Sequence, residues 1–241
     1  MNKIKYLDGF RLNRALVAGI NNVISNQEYL NKINVFPVPD GDTGTNMAFT
    51  LSTILELTKN KISTRADEML LTIADAALDG ARGNSGVILA QFFQGMSDGS
   101  VGINKMYPKD FSKAIQFGAD YARDALSEPK EGTILTVLTD FSNYLIKQIN
   151  NQTTDFEQLL SMGIVEAEKS LENTPNLLPI LKKAGVVDAG AKGFVDLLNG
   201  IYFFITEGDV KDIKLKVEAV KINEEVKDNL DFHNSEFRFC T

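Results

Sequence analysis

From Leu7 to about Thr206 no stretch of the chain alternates apolar and polar residues over a strand's length; apolar residues recur at helical spacing instead. Phe10, Leu12, Ala15, Leu16, Gly19, Ile20 and Val23 fall near a 3.6-residue period and predict an amphipathic helix ending around Asn26. A short helix over 27–33 follows, after which Pro37 and Pro39 forbid regular helix. The same reasoning predicts helices over 45–57, 65–79, 85–95, 108–126, 133–150, 155–171, 177–183 and 191–206, with Asp155 and Thr133 as N-caps. Without a sheet, such helices can bury their apolar stripes only against one another, so this body is predicted to be all-α.

After Gly208 the pattern changes. Val210 to Val217 alternates apolar and charged residues, as a half-buried strand would, and Glu236 to Cys240 alternates again. The chain therefore divides into a helical domain over 1–208 and, over 209–241, a linker with a short β-like tail that reads as the start of a further domain. An ordinary frayed terminus is the plainer alternative.

Charge and rare residues remove whole classes of chemistry. The formal net charge of −7 argues against a sequence-independent nucleic-acid binder, which needs a basic surface to neutralise phosphates. No apolar run approaches the ~20 residues needed to span a bilayer, and the first ten residues lack the apolar core of a secretory signal. One cysteine, Cys240, excludes an internal disulfide framework and fits a reducing cytoplasm. The single histidine, His233, excludes a Ser-His-Asp triad within the helical body and most histidine-based metal sites.

What remains points to phosphate. Asp40-Gly41-Asp42-Thr43-Gly44-Thr45-Asn46 sets two carboxylates two residues apart, just ahead of an apolar helix. Such oxygen donors suit Mg²⁺, which is held by one or two carboxylates plus the phosphate oxygens of a substrate. Free N–H groups at a helix start attract those same phosphates. Three other turns repeat the design: Gly80 to Gly86 (GARGNSG), Glu131-Gly132-Thr133, and Gly185 to Gly193 (GVVDAGAKG). Each puts glycine and small polar residues before a helix. Taken singly, Gly-Asn-Ser-Gly or Gly-Thr is more often a cap than a ligand site, and Asp188 fits equally as a turn residue. For Asp40 and Asp42 the balance favours a cation, because a cap needs only one carboxylate. Arg82 and Lys192, embedded in two of these turns, are candidate phosphate contacts or ordinary solvated side chains. No P-loop, dinucleotide fingerprint or protein-kinase motif is present.

Four segments in order, VPDGDTGTNM at 38–47, GARGNSGVILAQFF at 80–93, EGTILTV at 131–137 and ENTPNLLPILKKAGVVDAGAKG at 172–193, resemble the DAK2, or DhaL-like, domain. This is the ATP-binding domain of dihydroxyacetone kinases. The resemblance is closest to the N-terminal domain of bacterial fatty acid kinases and covers about Leu7 to Thr206. It implies an all-α, antiparallel eight-helix barrel with ATP or ADP and two Mg²⁺ ions at one rim. By motif, Asp40 and Asp42 resemble the metal ligands and catalytic residues. Where dihydroxyacetone kinases carry a further aspartate, this chain offers Asn34. The resemblance places Thr43, Thr45 and Asn46 beside the phosphates, and Gly83, Asn84, Ser85 and Gly86 along the nucleotide. Gly132 and Thr133 would lie at the base or ribose, and Asp188 and Gly190 in a turn closing over it.

The fatty acid kinase branch implies phosphorylation of a fatty acid carboxylate presented by a DegV-like binding protein, to give an acyl phosphate. It also admits a homodimer, and it makes Cys240 similar to a zinc ligand of the following domain, although a lone cysteine reads as a free thiol. Two rivals stay open: the nucleotide-binding subunit of a dihydroxyacetone kinase, and a nucleotide-holding regulator without turnover.

Overall fold

In a computed structural model of the chain, residues 4–150, 153 and 155–207 are described. They form the helices α1 (Gly9–Ser25), α2 (Gln27–Lys32), α3 (Thr43–Thr58), α4 (Ala66–Asp79), α5 (Gly83–Asp98), α6 (Pro108–Asp124), α7 (Ile134–Asn150), α8 (Phe156–Leu177), α9 (Pro179–Ala184) and α10 (Ala189–Glu207). Among the described residues there is no strand, only an isolated antiparallel bridge between Leu7 and Met106. No described helix is long and apolar enough to cross a membrane. The all-α expectation holds. The β-like tail, His233 and Cys240 lie outside the described residues.

The eight long helices close into an antiparallel barrel. From α3 to α8 each long helix packs on the next; α8 then packs on α10, α10 on α1, and α1 on both α3 and α4. The apolar faces predicted from periodicity point inward: Leu12, Leu16, Ile20 and Val23 of α1 are buried, as are Ile134, Leu138, Phe141 and Leu145 of α7. Edge-to-face rings knit the centre, Phe194 lying 5.6 Å from Phe92 and 5.7 Å from Phe141, an arrangement that favours aromatic quadrupoles as well as burying area. Up-and-down connection puts the starts of α3, α5, α7 and α10 at one end of the barrel. Toward the other end, Leu7, Phe111, Phe156 and Ile205 help line an apolar cavity of about 80 Å³.

Two differences from the sequence expectation have local causes. Helix α8 continues six residues past 171 and carries Pro175 inside it. Proline removes an N–H and so frees the carbonyl four residues back. Here that carbonyl, Leu171 O, accepts the Thr174 hydroxyl at 2.7 Å, and the helix runs on. Helix α5 starts earlier than expected because Gly83, at φ 59°, turns directly into it.

The α5–α6 contact depends on glycine from both sides. A methyl group on Gly95 would lie 2.3 Å from the Phe117 carbonyl oxygen, and one on Gly118 would lie 2.7 Å from that of Phe92. Both obstacles are backbone. Gly95→Ala is therefore expected to cost about 1–3 kcal/mol of stability through overpacking. Urea unfolding against the solvent-side control Gln94→Ala checks this, and equal midpoints would contradict it.

Candidate functional site

At the end of the barrel where α3, α5, α7 and α10 begin, the chain encloses a cavity of about 570 Å³. Four short segments meet there. The 34–46 turn contributes Asn34, Asp40, Asp42, Thr43 and Asn46, and the start of α5 contributes Gly83, Asn84 and Ser85. Thr133 and Ile134 come from the start of α7, Asp188 and Gly190 from the turn into α10. Residues far apart in sequence are thus collected on one wall by the alternation of helix directions.

The acidic turn is open to solvent. Asp42 holds the N-cap position of α3, yet its side chain makes no capping hydrogen bond, and both Asp40 and Asp42 are exposed. Asp40 Oδ1 accepts from Asn34 Nδ2 at 2.7 Å. Asn34 is 5% exposed, and its amide oxygen is a buried polar atom without a hydrogen-bond partner. A buried amide oxygen left unpaired costs free energy that a cation would recover. Opposite the turn, Gly83 allows close approach: at its positive φ an added methyl would sit 2.4 Å from Asn46 Nδ2. Glycine there seats the start of α5 directly on the Asn46 amide.

Asp188 is the structural centre of the far wall. Its Oδ2 accepts the N–H of Ile134 at 3.0 Å and of Ala191 at 2.8 Å, capping α7 and α10 together. Its own N–H donates to Thr174 Oγ1 of α8 at 3.1 Å. Burial pushes the carboxyl up to about 6, while the N–H groups of Ala191, Ile134 and Gly190 pull it back. The predicted cap Thr133 contributes more weakly, accepting from Leu135 N at 3.4 Å.

Residues 37–203 match the DAK2 domain. The chain belongs to this family. The DAK2 chain is 37% identical, over 99% of its length, to an uncharacterized protein of Staphylococcus saprophyticus, and 39% identical over 94% to one of Staphylococcus aureus. It spans 44% and 42% of those proteins, less than half of either. Among solved structures, the dihydroxyacetone kinase from C. freundii in complex with AMP-PNP and Mg²⁺ has a TM-score of 0.61 at 18% identity, covering 78% of this chain and 32% of that one. The native form of that kinase gives 0.62, also at 18% identity, covering 83% of this chain and 35% of its own. At that identity the likeness is one of fold.

Three residues expected in the site of this DAK2 domain do not line the cavity. Thr45 faces α2, its hydroxyl accepting from Asn31 Nδ2 at 2.9 Å and Gln27 Nε2 at 3.2 Å. Gly86 packs on α3, where an added methyl would meet Thr50 Oγ1 at 2.4 Å. Gly132 serves its turn, at φ 82° against Leu177 and Leu178. Neither glycine-turn cation lines the cavity either. Arg82 lies 5.4 Å over the Phe49 ring, and Lys192 pairs with buried Asp196 one helical turn on.

In their place the wall takes residues not named as site candidates from the sequence. Phe36, Pro37 and Val38 come from the proline segment, and Leu126, Ser127, Glu128 and Lys130 from the α6–α7 loop. The composition of that loop, Ser-Glu-Pro-Lys directly ahead of the Glu-Gly-Thr turn, is the signal that could have marked it. The loop is strapped down by Glu131, which accepts from Thr136 Oγ1 at 2.5 Å and pairs with Arg123. Those two interactions, the hydroxyl first, hold the Glu131 carboxyl below the usual carboxylate range.

Among the described residues no three acidic, histidine or cysteine side chains gather as a ready-made metal cage. Two open carboxylates and one unpaired buried amide oxygen are instead a partial set of hard oxygen donors. That set fits Mg²⁺, which keeps several positions for water and phosphate.

Proposed function

We propose that this DAK2 domain is the Mg·ATP-binding phosphotransferase domain of a fatty acid kinase, acting on a fatty acid carboxylate presented by a DegV-like binding protein. The observation that carries the phosphoryl-transfer reading is the cavity itself, where Asn34, Asp40 and Asp42 line one nucleotide-sized space together with the starts of α3, α5, α7 and α10. In this reading Asp40 and Asp42, with Asn34, hold Mg²⁺, which when bound neutralises charge on the phosphates. The N–H groups opening α3 and α5, with Thr43, Asn46, Asn84 and Ser85, donate to phosphoryl oxygens and fix their geometry. Thr133, Asp188 and Gly190 form the wall on the nucleoside side. Thr45, Gly86 and Gly132 act behind that wall, keeping the helix starts in place.

The reaction needs positioning more than protein nucleophiles. A carboxylate oxygen of the fatty acid bonds to the γ-phosphorus as the bond from that phosphorus to the β–γ bridging oxygen breaks, leaving acyl phosphate and ADP. A carboxylic acid titrates at about 4, so at neutral pH it arrives ionised and no base has to remove a proton. The V-P-D-G-D turn, with Asn34 upstream, supports the fatty acid branch over the dihydroxyacetone branch.

Fold likeness to dihydroxyacetone kinase favours a second reading, in which the acceptor is dihydroxyacetone on a partner subunit. Mass spectrometry after mixing the full-length protein, ATP, Mg²⁺ and a lipid-loaded DegV-like protein separates the two. Acyl phosphate with stoichiometric ADP is the expected product. Turnover only with dihydroxyacetone and its binding subunit would replace the proposal with the second reading.

A further inference from the structure

The cavity wall carries four carboxylates, Asp40, Asp42, Glu128 and Asp188, and among the described residues one cation, Lys130. Two acidic side chains are accounted for by the proposed metal. A polyphosphate entering so acidic a wall still meets repulsion from Glu128, the residue that holds Lys130 in the free protein. Lys130 Nζ lies 3.2 Å from Glu128 Oε2, and both side chains are largely exposed, at 55% and 79%. Exposed pairs of this kind are weak and exchange readily.

The backbone under Lys130 is fixed far better than its side chain. Its carbonyl accepts the Thr133 hydroxyl at 2.7 Å, and the next residue, Glu131, is tied to both Arg123 and Thr136. Gly132 N–H donates to Thr136 Oγ1 at 2.9 Å, and Pro129 restrains the loop from the other side. With its backbone strapped down over the cavity, Lys130 can reach an anion at the cost of ordering its side chain alone. The alternative cations are occupied, Arg82 on Phe49 and Lys192 on Asp196.

We propose that Lys130 is the phosphate-contacting cation of this site: its ammonium leaves Glu128 and donates to a non-bridging oxygen of the nucleotide's polyphosphate. This rests on the Mg·nucleotide reading above and adds a residue outside the four glycine turns. Calorimetry with Mg·ATP on the wild-type chain, Lys130→Gln, Lys130→Arg and Glu128→Gln tests it, with thermal unfolding as the control for folding. Removing a charged hydrogen bond to a phosphate weakens binding at least about tenfold, which is the effect expected for Lys130→Gln. Lys130→Arg keeps most of the affinity, and Glu128→Gln, which frees the ammonium, tightens binding about twofold. Wild-type binding with Lys130→Gln within twofold of it, or an equal loss in Lys130→Arg, overturns the role of Lys130 and leaves the nucleotide site standing. No Mg·ATP binding by the wild type overturns both. If Lys130→Gln unfolds early, Glu128→Gln decides, and unchanged or weaker binding there counts against the proposal.

Discussion

Asp40→Ala is expected to abolish Mg²⁺-dependent ATP binding while leaving the fold intact. Loss of groups that merely orient a metal ligand typically costs 10–100-fold in metal affinity, so removal of a ligand itself should cost on the order of 100-fold or more. Nothing in the packing opposes the change. Asp40 and Asp42 are exposed, and the Asp42 side chain makes no capping hydrogen bond although it holds the N-cap position of α3. What the substitution takes away is the acceptor for the Asn34 amide. Two like charges two residues apart repel when no cation is bound, which offsets part of the cost of leaving the Asn34 amide unpaired, so the apo variant should melt at or only slightly below the wild type. The same logic extends to Asp42→Ala. The measurement is thermal unfolding with and without Mg·ATP: a ligand-induced rise in Tm for the wild type and none for either variant. An undiminished rise in Asp40→Ala would remove that carboxylate from the site.

Asp188→Ala should produce the largest loss of stability at the site. The substitution strips the acceptor from two buried N–H groups, those of Ile134 and Ala191, in one step. Each unpaired buried donor costs about 1–3 kcal/mol, offset in part because a buried carboxylate no longer has to be desolvated. A net loss of about 2–4 kcal/mol follows. Because the starts of α7 and α10 both line the cavity, nucleotide affinity should fall with it. Asp188→Asn keeps an acceptor and isolates the charge. The folded carboxyl titrates at about 6, above its ordinary value of 3.8, so between those values the native state binds the proton that the unfolded state has lost. The stability contributed by the protonated form is complete below about pH 4 and is lost as pH rises through 6, a change of about 3 kcal/mol. Urea unfolding of the wild type and Asp188→Asn at pH 4 and pH 7.5 should show the wild type losing ground to the variant by up to that amount. A pH-independent difference would mean that the charge on Asp188 carries no such cost.

The sequence revealed whatever is local. Helical spacing of apolar residues placed every long helix, even α10, which is buried all round from Gly193 to Leu198, and the Asp155 cap is where expected, accepting from Gln158 N at 3.2 Å. Helix ends proved less legible. The course of α8 through Pro175 depends on the Thr174 hydroxyl serving a carbonyl three residues back, which composition alone does not announce. At the site, the glycine turns were visible as turns, but which of their side chains face inward is decided by neighbours. Thr45 turns to α2 because Asn31 and Gln27 are there to meet it, and Arg82 lies over Phe49, a residue of another helix. Lys192, read from sequence as a candidate phosphate contact or a solvated side chain, pairs instead with Asp196 at i, i+4. Lys130 was not legible, since its place over the cavity comes from the way α6 and α7 bring their connecting loop to the rim.

A crystal structure of the chain grown with AMP-PNP and Mg²⁺ decides whether this cavity is a Mg·nucleotide site. Nucleotide is expected in the cavity among the starts of α3, α5, α7 and α10, with Mg²⁺ at about 2.0–2.1 Å from carboxylate oxygens of Asp40 and Asp42. Nucleotide bound elsewhere, or in the cavity with its metal held by neither aspartate, would contradict that expectation.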